Sequence, residues 1–335
     1  MTDMRQRGLR LALSFSITAV ALLALFLLAV NAGTLDMNPA KLLRGLFVAY
    51  DPDVATVFDL RFPRILIAMV GGAATAASGV LLQAVIRNPL ADPGIIGVSS
   101  GASLAAVLVT AFVPGLFFLS PLFAFVGGVV AFALVYSLSW GREGLSPLRI
   151  ILVGVAVSAV FTGIMDAFSS GGGSQLSGVS SLVSANISMK TWDDFATIAA
   201  YGAVGLVLSL FLCRRCDLLS LEDKTARSLG LNVNRARVVV SCVAVLLASI
   251  STAVIGPISF LGLVVPHLAR LIVGSGHKAL IPYAMLLGAF CLLLADTVGR
   301  MIAPPYEISA ATIMAVIGGP VFIFLLRKAR YGYGE

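Results

Sequence analysis

Long uncharged apolar blocks, rather than short alternating runs, set the rhythm of this chain. Residues 11–30 carry no Asp, Glu, Lys or Arg. Twenty helical residues rise about 30 Å, enough to cross a hydrocarbon core. Comparable blocks follow at 65–86, 95–113, 116–140, 150–168, 195–212, 238–255, 258–273, 279–298 and 308–326. The pattern predicts an all-α, polytopic membrane protein with ten transmembrane helices. The first block also admits a secretory signal with Val30-Asn31-Ala32 as its cleavage site. Its apolar part is longer than a signal's core, so it is read as a retained span.

The seams between blocks carry their own signals. Residues 31–60 read as a polar loop that ends in Arg61-Phe62-Pro63-Arg64, with Pro63 suited to a first helical turn. The second block is rich in small residues, from Gly71 to Gly79, which let helices approach closely in lipid. Its polar exception, Gln83, suits an interhelical hydrogen bond better than a substrate contact. Pro89, Pro93, Gly94 and Gly97 break the chain before the third block. Gly154, Ser158, Thr162 and Asp166 fall four apart on the fifth. Two readings of that stripe stand: a wet passage, or small-residue packing with hydroxyls bonded to their own backbone. Ser169 and Ser170 open a Gly/Ser-rich stretch, SSGGGSQLSG, that reads as a flexible link. The eighth block is short, contains Pro266, and resembles the broken helices that transporters place near a pathway. Its His267 suits a structural donor better than a ligand.

One stretch breaks the apolar rhythm for longer than any other. Residues 214–237 hold six of the 23 Lys and Arg, with Asp217, Glu222 and Asp223. Ser220 and Asp223 have the spacing of a capping pair, and Gly230 suits the position after a helix end. Leu218, Leu221, Thr225 and Leu229 recur at helical spacing; Glu222, Asp223, Lys224 and Arg227 cover the remaining face. A helix of about ten residues spans only about 15 Å, so it lies at the membrane surface rather than across it. It is either a solvated connector or a docking surface for a cytoplasmic partner.

Composition narrows the class. Of the 335 residues, 59% are hydrophobic and 12% charged. Soluble domains are usually about 25% charged. The net charge of +7 is scattered over loop ends, which suits lipid headgroups and orientation and excludes a nucleic-acid face. Cys213, Cys216, Cys242 and Cys291 make no disulfide framework; the Cys213/Cys216 pair lacks the second pair of a metal site. His267 and His277 do not form a zinc motif, and no phosphate-binding loop occurs. No catalytic constellation appears at workable spacing, which sets aside an intramembrane hydrolase.

Two segments make the reading specific. Residues 87–101, RNPLADPGIIGVSSG, and 256–270, GPISFLGLVVPHLAR, resemble the signatures of FecCD-type permeases. These are the membrane subunits of bacterial ABC importers for ferric siderophores, haem and cobalamin. The resemblance runs from about Arg61 to Arg327. It implies a single transmembrane unit with short cytoplasmic coupling helices between spans six and seven; by topology, with Asn88-Pro89 and Gly256-Pro257 in corresponding places, residues 1–194 and 195–335 read as two inverted five-helix repeats. It implies no enzymatic activity, cofactor or metal in this chain. ATP is hydrolysed by a separate cytoplasmic ATPase, in two copies, which pushes on Leu221, Glu222, Asp223, Lys224, Ala226, Arg227 and Gly230. The further partners implied are a second permease copy or paralogue, an extracytoplasmic substrate-binding protein, and membrane lipid. An iron-siderophore complex is the commonest family cargo; haem and cobalamin stay open. The family also places a short helix and gate after span five, where the triple glycine of this chain departs from the pattern.

Ten spans with the N-terminus inside put the C-terminus inside as well. Seventeen of the 23 basic residues then face the cytoplasm, as the positive-inside rule requires. Arg61, Arg64 and Arg300 are exceptions, placed outside at span ends. They read either as headgroup anchors, with Arg300 pairing to Asp296 four residues earlier, or as receivers of carboxylates on the binding protein. An ion-coupled secondary transporter is the competing class. It commonly buries its coupling carboxylates at mid-membrane, whereas Asp166 and Asp296 lie near span ends.

Overall fold

The computed structural model describes residues 2–31, 51–141, 144–145, 147–171, 187–188, 190–302 and 306–330. Twelve α-helices carry them. In chain order these are α1 (Thr2–Asn31), α2 (Pro52–Ile86), α3 (Val98–Phe112), α4 (Ser120–Leu138), α5 (Pro147–Gly171), α6 (Trp192–Phe211), α7 (Cys213–Leu219), α8 (Asp223–Ser228), α9 (Val233–Ile255), α10 (Leu261–Val273), α11 (His277–Ile302) and α12 (Ala310–Arg330). A 3₁₀ stretch, Pro114–Leu119, precedes α4, and a two-residue antiparallel pair, Trp140–Gly141 with Gly144–Leu145, follows it. Among the described residues, seven helices are long and apolar enough to cross a membrane: α1, α2, α4, α5, α6, α9 and α11. Three shorter apolar helices, Val98–Phe112, Leu261–Val273 and Ala310–Phe324, stand beside them.

Helix α2 is the axis of the bundle, with α11, α9, α6, α10 and α1 packed around it. Its small residues make that possible. A Cβ on Gly72 would lie 2.3 Å from the Gly288 carbonyl oxygen on α11, and one on Gly288 would lie 2.4 Å from the Gly72 oxygen. A Cβ on Gly79 would come within 1.9 Å of the Gly262 oxygen at the start of α10. Lipid supplies no hydrophobic drive between helices, so close backbone packing and interhelical hydrogen bonds hold them. The Thr75 and Ser251 hydroxyls meet at 2.8 Å, Ser251 also donates to the Gly71 carbonyl, and Ser78 donates to the Ala244 carbonyl. All three contacts tie α2 to α9. Helices α3, α4 and α5 form a second group, joined where Gly101 meets Gly127.

Several boundaries differ from the expectation. Residues 52–60 are helical, so Pro63 lies inside α2 rather than in its first turn. The start is set earlier, where the Val54 N–H donates to the Asp51 carboxylate and Pro52 opens the helix. Helix α5 runs on through Ser169, Ser170 and Gly171, which were read as flexible link. Residues 172–186, the remainder of the Gly/Ser stretch, lie outside the described residues. Helix α6 begins at Trp192 because Thr191 and Asp194 form a capping box. The charged stretch is two short helices, α7 and α8, rather than the one of about ten residues that its spacing suggests.

Candidate functional site

The polar side chains of the bundle gather at its two ends, and α2 joins them. One end holds Arg87 and the charged stretch; the other holds Arg61, Arg64 and Arg300.

At the first end Ser220 does not cap a following helix. It closes α7, and its hydroxyl donates back to the Cys216 carbonyl at 2.9 Å. Glu222 stands at the start of α8 without a side-chain cap. Asp223 is drawn elsewhere because two guanidinium groups outcompete a local backbone cap. One Asp223 carboxylate oxygen accepts from Arg87 and, at 2.9 Å, from Arg237. Burial alone would raise this carboxyl, but the Arg87 hydrogen bond and the charges of Arg237, Arg87 and Arg227 hold it below the usual carboxylate range. Arg87 also donates through Nε to the Leu219 carbonyl at 2.6 Å, from a left-handed backbone with φ of 54°. Helix α8 ends in a Schellman motif: the Gly230 N–H donates to Arg227 and the Leu231 N–H to Ala226, with Gly230 at φ 85°.

The apolar face of this stretch is not the one its spacing suggests. Leu219 and Ala226 are buried, whereas Leu221, Thr225 and Leu229 are exposed beside Glu222, Lys224 and Arg227. An open face of mixed apolar and charged side chains results. The platform is braced from α11, where His277 donates its backbone N–H to Asp217 at 2.9 Å and pairs through Nδ1 at 2.7 Å.

At the other end the expected Asp296–Arg300 pair forms, at 3.4 Å, but Asp296 is chiefly Arg64's partner. Arg64 donates through Nε to both Asp296 oxygens at 3.1 Å and through Nη2 at 2.8 Å. Its Nη1 donates to Glu307 at 2.8 Å, and Ser188 donates to the same Glu307 oxygen at 2.7 Å. Asp296 is 1% exposed, Arg64 10% and Glu307 43%. Arg64 is therefore turned inward, with all three nitrogens engaged, rather than presented as an open fork. Burial raises the Glu307 carboxyl, but hydrogen bonds from Arg64 and Ser188 and the nearby Arg64 and Arg300 charges outweigh it and lower it. Arg61 donates to the Val30 carbonyl at 2.6 Å and Arg300 to the Ala29 carbonyl at 3.1 Å, which ties α1 to this end. Glu307 and the pairing of Asp217 with His277 are not visible in the sequence. A lone acid at a helix edge carries no sequence signal until its partner is placed.

Between the ends, the two motif segments meet. Gln83 makes the expected interhelical contact, donating to the Gly262 carbonyl at 3.4 Å and also to Ala91 at 3.3 Å. Asp92 is buried; its Oδ1 accepts from the Gly94 and Ile95 N–H groups, and its Oδ2 has no hydrogen-bond partner. Burial pushes this carboxyl up to about 6 against those two hydrogen bonds. Each segment is bounded by left-handed residues, Arg87 and Gly97 in the first, Gly256 and Phe260 in the second. Helices α3 and α10 both start from a left-handed residue without a side-chain cap. On the α5 stripe, Gly154 packs on Ile95 and Ile96, and Ser158 donates to the Gly94 carbonyl at 3.4 Å. Thr162 and Asp166 are exposed further along. The lower stripe thus packs and the upper stripe stays open.

A bundle of long apolar helices whose charged groups sit at its ends is a polytopic membrane protein. Its particular family follows from comparison. Residues 21–328 match the FecCD transport family, and the chain belongs to it. Relatives in Staphylococcus aureus strains MSSA476 and Newman are described as the haem-iron transport system permease protein IsdF. Each is 38% identical over 318 residues, covering 95% of this chain and 96% of the relative. A solved structure, described as an inward-facing conformation of a metal-chelate type ABC transporter, superimposes with a TM-score of 0.79. Its identity is 28%, and the match covers 95% of this chain and 99% of that one. The chain is a transport-family membrane subunit of the ABC importer type, not a member of a catalytic enzyme family.

Proposed function

We propose that this chain is the permease of an ATP-driven importer for haem-iron or a related iron chelate, crossing the cytoplasmic membrane of a bacterium ten times. The names of the 38% identical relatives favour haem over a siderophore or cobalamin as cargo. Ten crossings are supported by the ten apolar helices and by the sorting of side chains. Residues assigned to one side by alternating crossings also meet in space, Arg87 with Asp223 and Asp217 with His277. Inverted halves are supported by the matched left-handed residues that bound the segments after α2 and α9.

The observation that carries the coupling role is the open face of α8, held in place by Asp223 on Arg87 and Arg237. Leu221, Glu222, Lys224, Arg227 and Gly230 would meet a cytoplasmic ATPase there, with Asp223 and Ala226 fixing the platform from within. Two ATPase copies and a second permease, identical or paralogous, complete the assembly, and both termini lie in the cytoplasm. At the other end a substrate-binding protein would dock, with the bridged Arg64 and Arg300 shaping the surface and Arg61 at its edge. Thr162 and Asp166 would line the pathway, continued by Ser169 and Ser170, with Ser158 at its packed lower end. The test is Glu222→Arg in cells that depend on this importer for haem. Haem uptake is lost while the protein still reaches the membrane, and a thiol at Thr225→Cys is shielded from impermeant label in intact cells. Normal uptake, or labelling from outside, refutes the reading.

A further inference from the structure

Helices α4 and α9 do not close on each other along their whole length. A cleft of about 400 Å³ lies between them, lined from α4 by Phe132, Ala133 and Tyr136 and from α9 by Val238, Ser241 and Cys242. Along one wall runs an aromatic ladder: Phe132 to Tyr136 at 5.8 Å and Tyr136 to Trp140 at 5.9 Å between ring centres. The cleft is graded in polarity. Its far end is valine and alanine, while the end nearest the charged stretch carries Trp140, Asn234 and Arg237.

Among the described residues, charge at that end is unbalanced. Arg87 and Arg237 share a single carboxylate, that of Asp223, and Arg227 lies close enough to act on the same group. The Nε of Arg237 is buried without a hydrogen-bond partner. An apolar slot with an aromatic wall and surplus guanidinium charge at one end matches the shape of an anionic amphiphile. Aromatic rings and arginine are also what membrane interfaces favour at headgroup depth.

We propose that this cleft is a binding site for an anionic glycerophospholipid, with an acyl chain along the Phe132–Tyr136–Trp140 ladder and the phosphate at Arg237 and Asn234. Because Arg237 also holds Asp223, the lipid headgroup bears directly on the root of α8. This site does not depend on which cargo the chain moves.

Cys242 lies in the cleft, free and exposed, and gives the test. The purified full chain in detergent is alkylated with a maleimide in the presence of phosphatidylglycerol, phosphatidylcholine of the same acyl chains, or inorganic phosphate. Modification at each cysteine is followed by mass spectrometry. One basic side chain near a lipid surface contributes about 1 kcal/mol, so phosphatidylglycerol slows Cys242 modification about fivefold relative to phosphatidylcholine. Cys213, outside the cleft, is unaffected. Arg237→Gln abolishes the difference while buried Cys216 stays unreactive, which shows that the fold is kept; Asn234→Leu, which leaves the Asp223 pairing alone, reduces it. Equal protection by the two lipids, protection that survives Arg237→Gln, or protection by phosphate alone overturns the proposal. So does a Cys242 already shielded in lipid-free detergent by a second copy of the chain.

Discussion

Replacing Asp296 by alanine isolates the contribution of the buried arginine network. Asp296 is 1% exposed and accepts three hydrogen bonds from Arg64, at 3.1, 3.1 and 2.8 Å. It also lies 3.4 Å from Arg300. Removing it leaves two guanidinium groups in a poorly hydrated place with their shared counter-charge gone. Breaking a buried ion pair from one side costs about 3–5 kcal/mol. Glu307 offsets part of this for Arg64, but it is half-exposed and bonds only Nη1, so the lower half of that range applies. At about 2–4 °C per kcal/mol for a large domain, the thermal midpoint falls by on the order of 10 °C. The assay is thermal unfolding in detergent with a thiol-reactive fluorophore, after exposed Cys242 has been blocked by alkylation, because Cys216 is buried and reacts only when the bundle opens. Glu307→Gln, which removes a half-exposed partner, has an effect of about 1 kcal/mol or less in the same assay. If Asp296→Ala melts within about 2 °C of the native chain, the network is not the buried, mutually dependent one described here.

Gly72→Ala forces apart α2 and α11 and costs about 1–3 kcal/mol by overpacking, whereas Gly163→Ala, with open space around its Cβ, gains up to about 1 kcal/mol of helix propensity; melting the two side by side decides it, and equal midpoints would contradict the close approach. Asp92 stays protonated up to about pH 6 in the folded chain but ionises near 3.8 when unfolded, so stability falls as pH rises between those values, by about 3 kcal/mol in all. Asp92→Asn removes that slope, and a slope unchanged in the variant assigns it elsewhere. Gly230→Ala strains a left-handed cap without any steric clash and costs about 1 kcal/mol; the protein inserts normally but loses coupled uptake, and full uptake would separate this cap from coupling.

The membrane character and the positions of the apolar helices were legible because most blocks are long and none carries more than a single charge. Helix starts were less so. Asp51-Pro52 is a good capping signal, yet it sits inside a polar stretch that lacks apolar periodicity, so α2 was placed a dozen residues short. The Ser220–Asp223 spacing misled for a different reason. A capping box is a local bond worth about 1 kcal/mol, and two arginines brought from 87 and 237 bind the same carboxylate more strongly. Sequence distance hides such partners. The same holds for Arg64: its spacing suggests a helix end, but the helix begins at Pro52, and Asp296 and Glu307, more than two hundred residues away, decide that it faces inward. Only the Asp296–Arg300 pair, four residues apart on one helix, could be read directly.

Arg64 lies on α2, the buried central rod of the bundle, and Arg87 directly follows its last residue, Ile86. Twenty-three residues separate them, about 35 Å at 1.5 Å per residue. A tilt of about 5° at one terminus therefore carries the opposite terminus through about 3 Å, roughly the length of one hydrogen bond. Pro63, the proline within this rod, lies on the Arg64 side, so no proline interrupts the shaft below it. Mechanical news arriving at either extremity reaches its opposite by leverage alone, with no relay of intermediate side chains required.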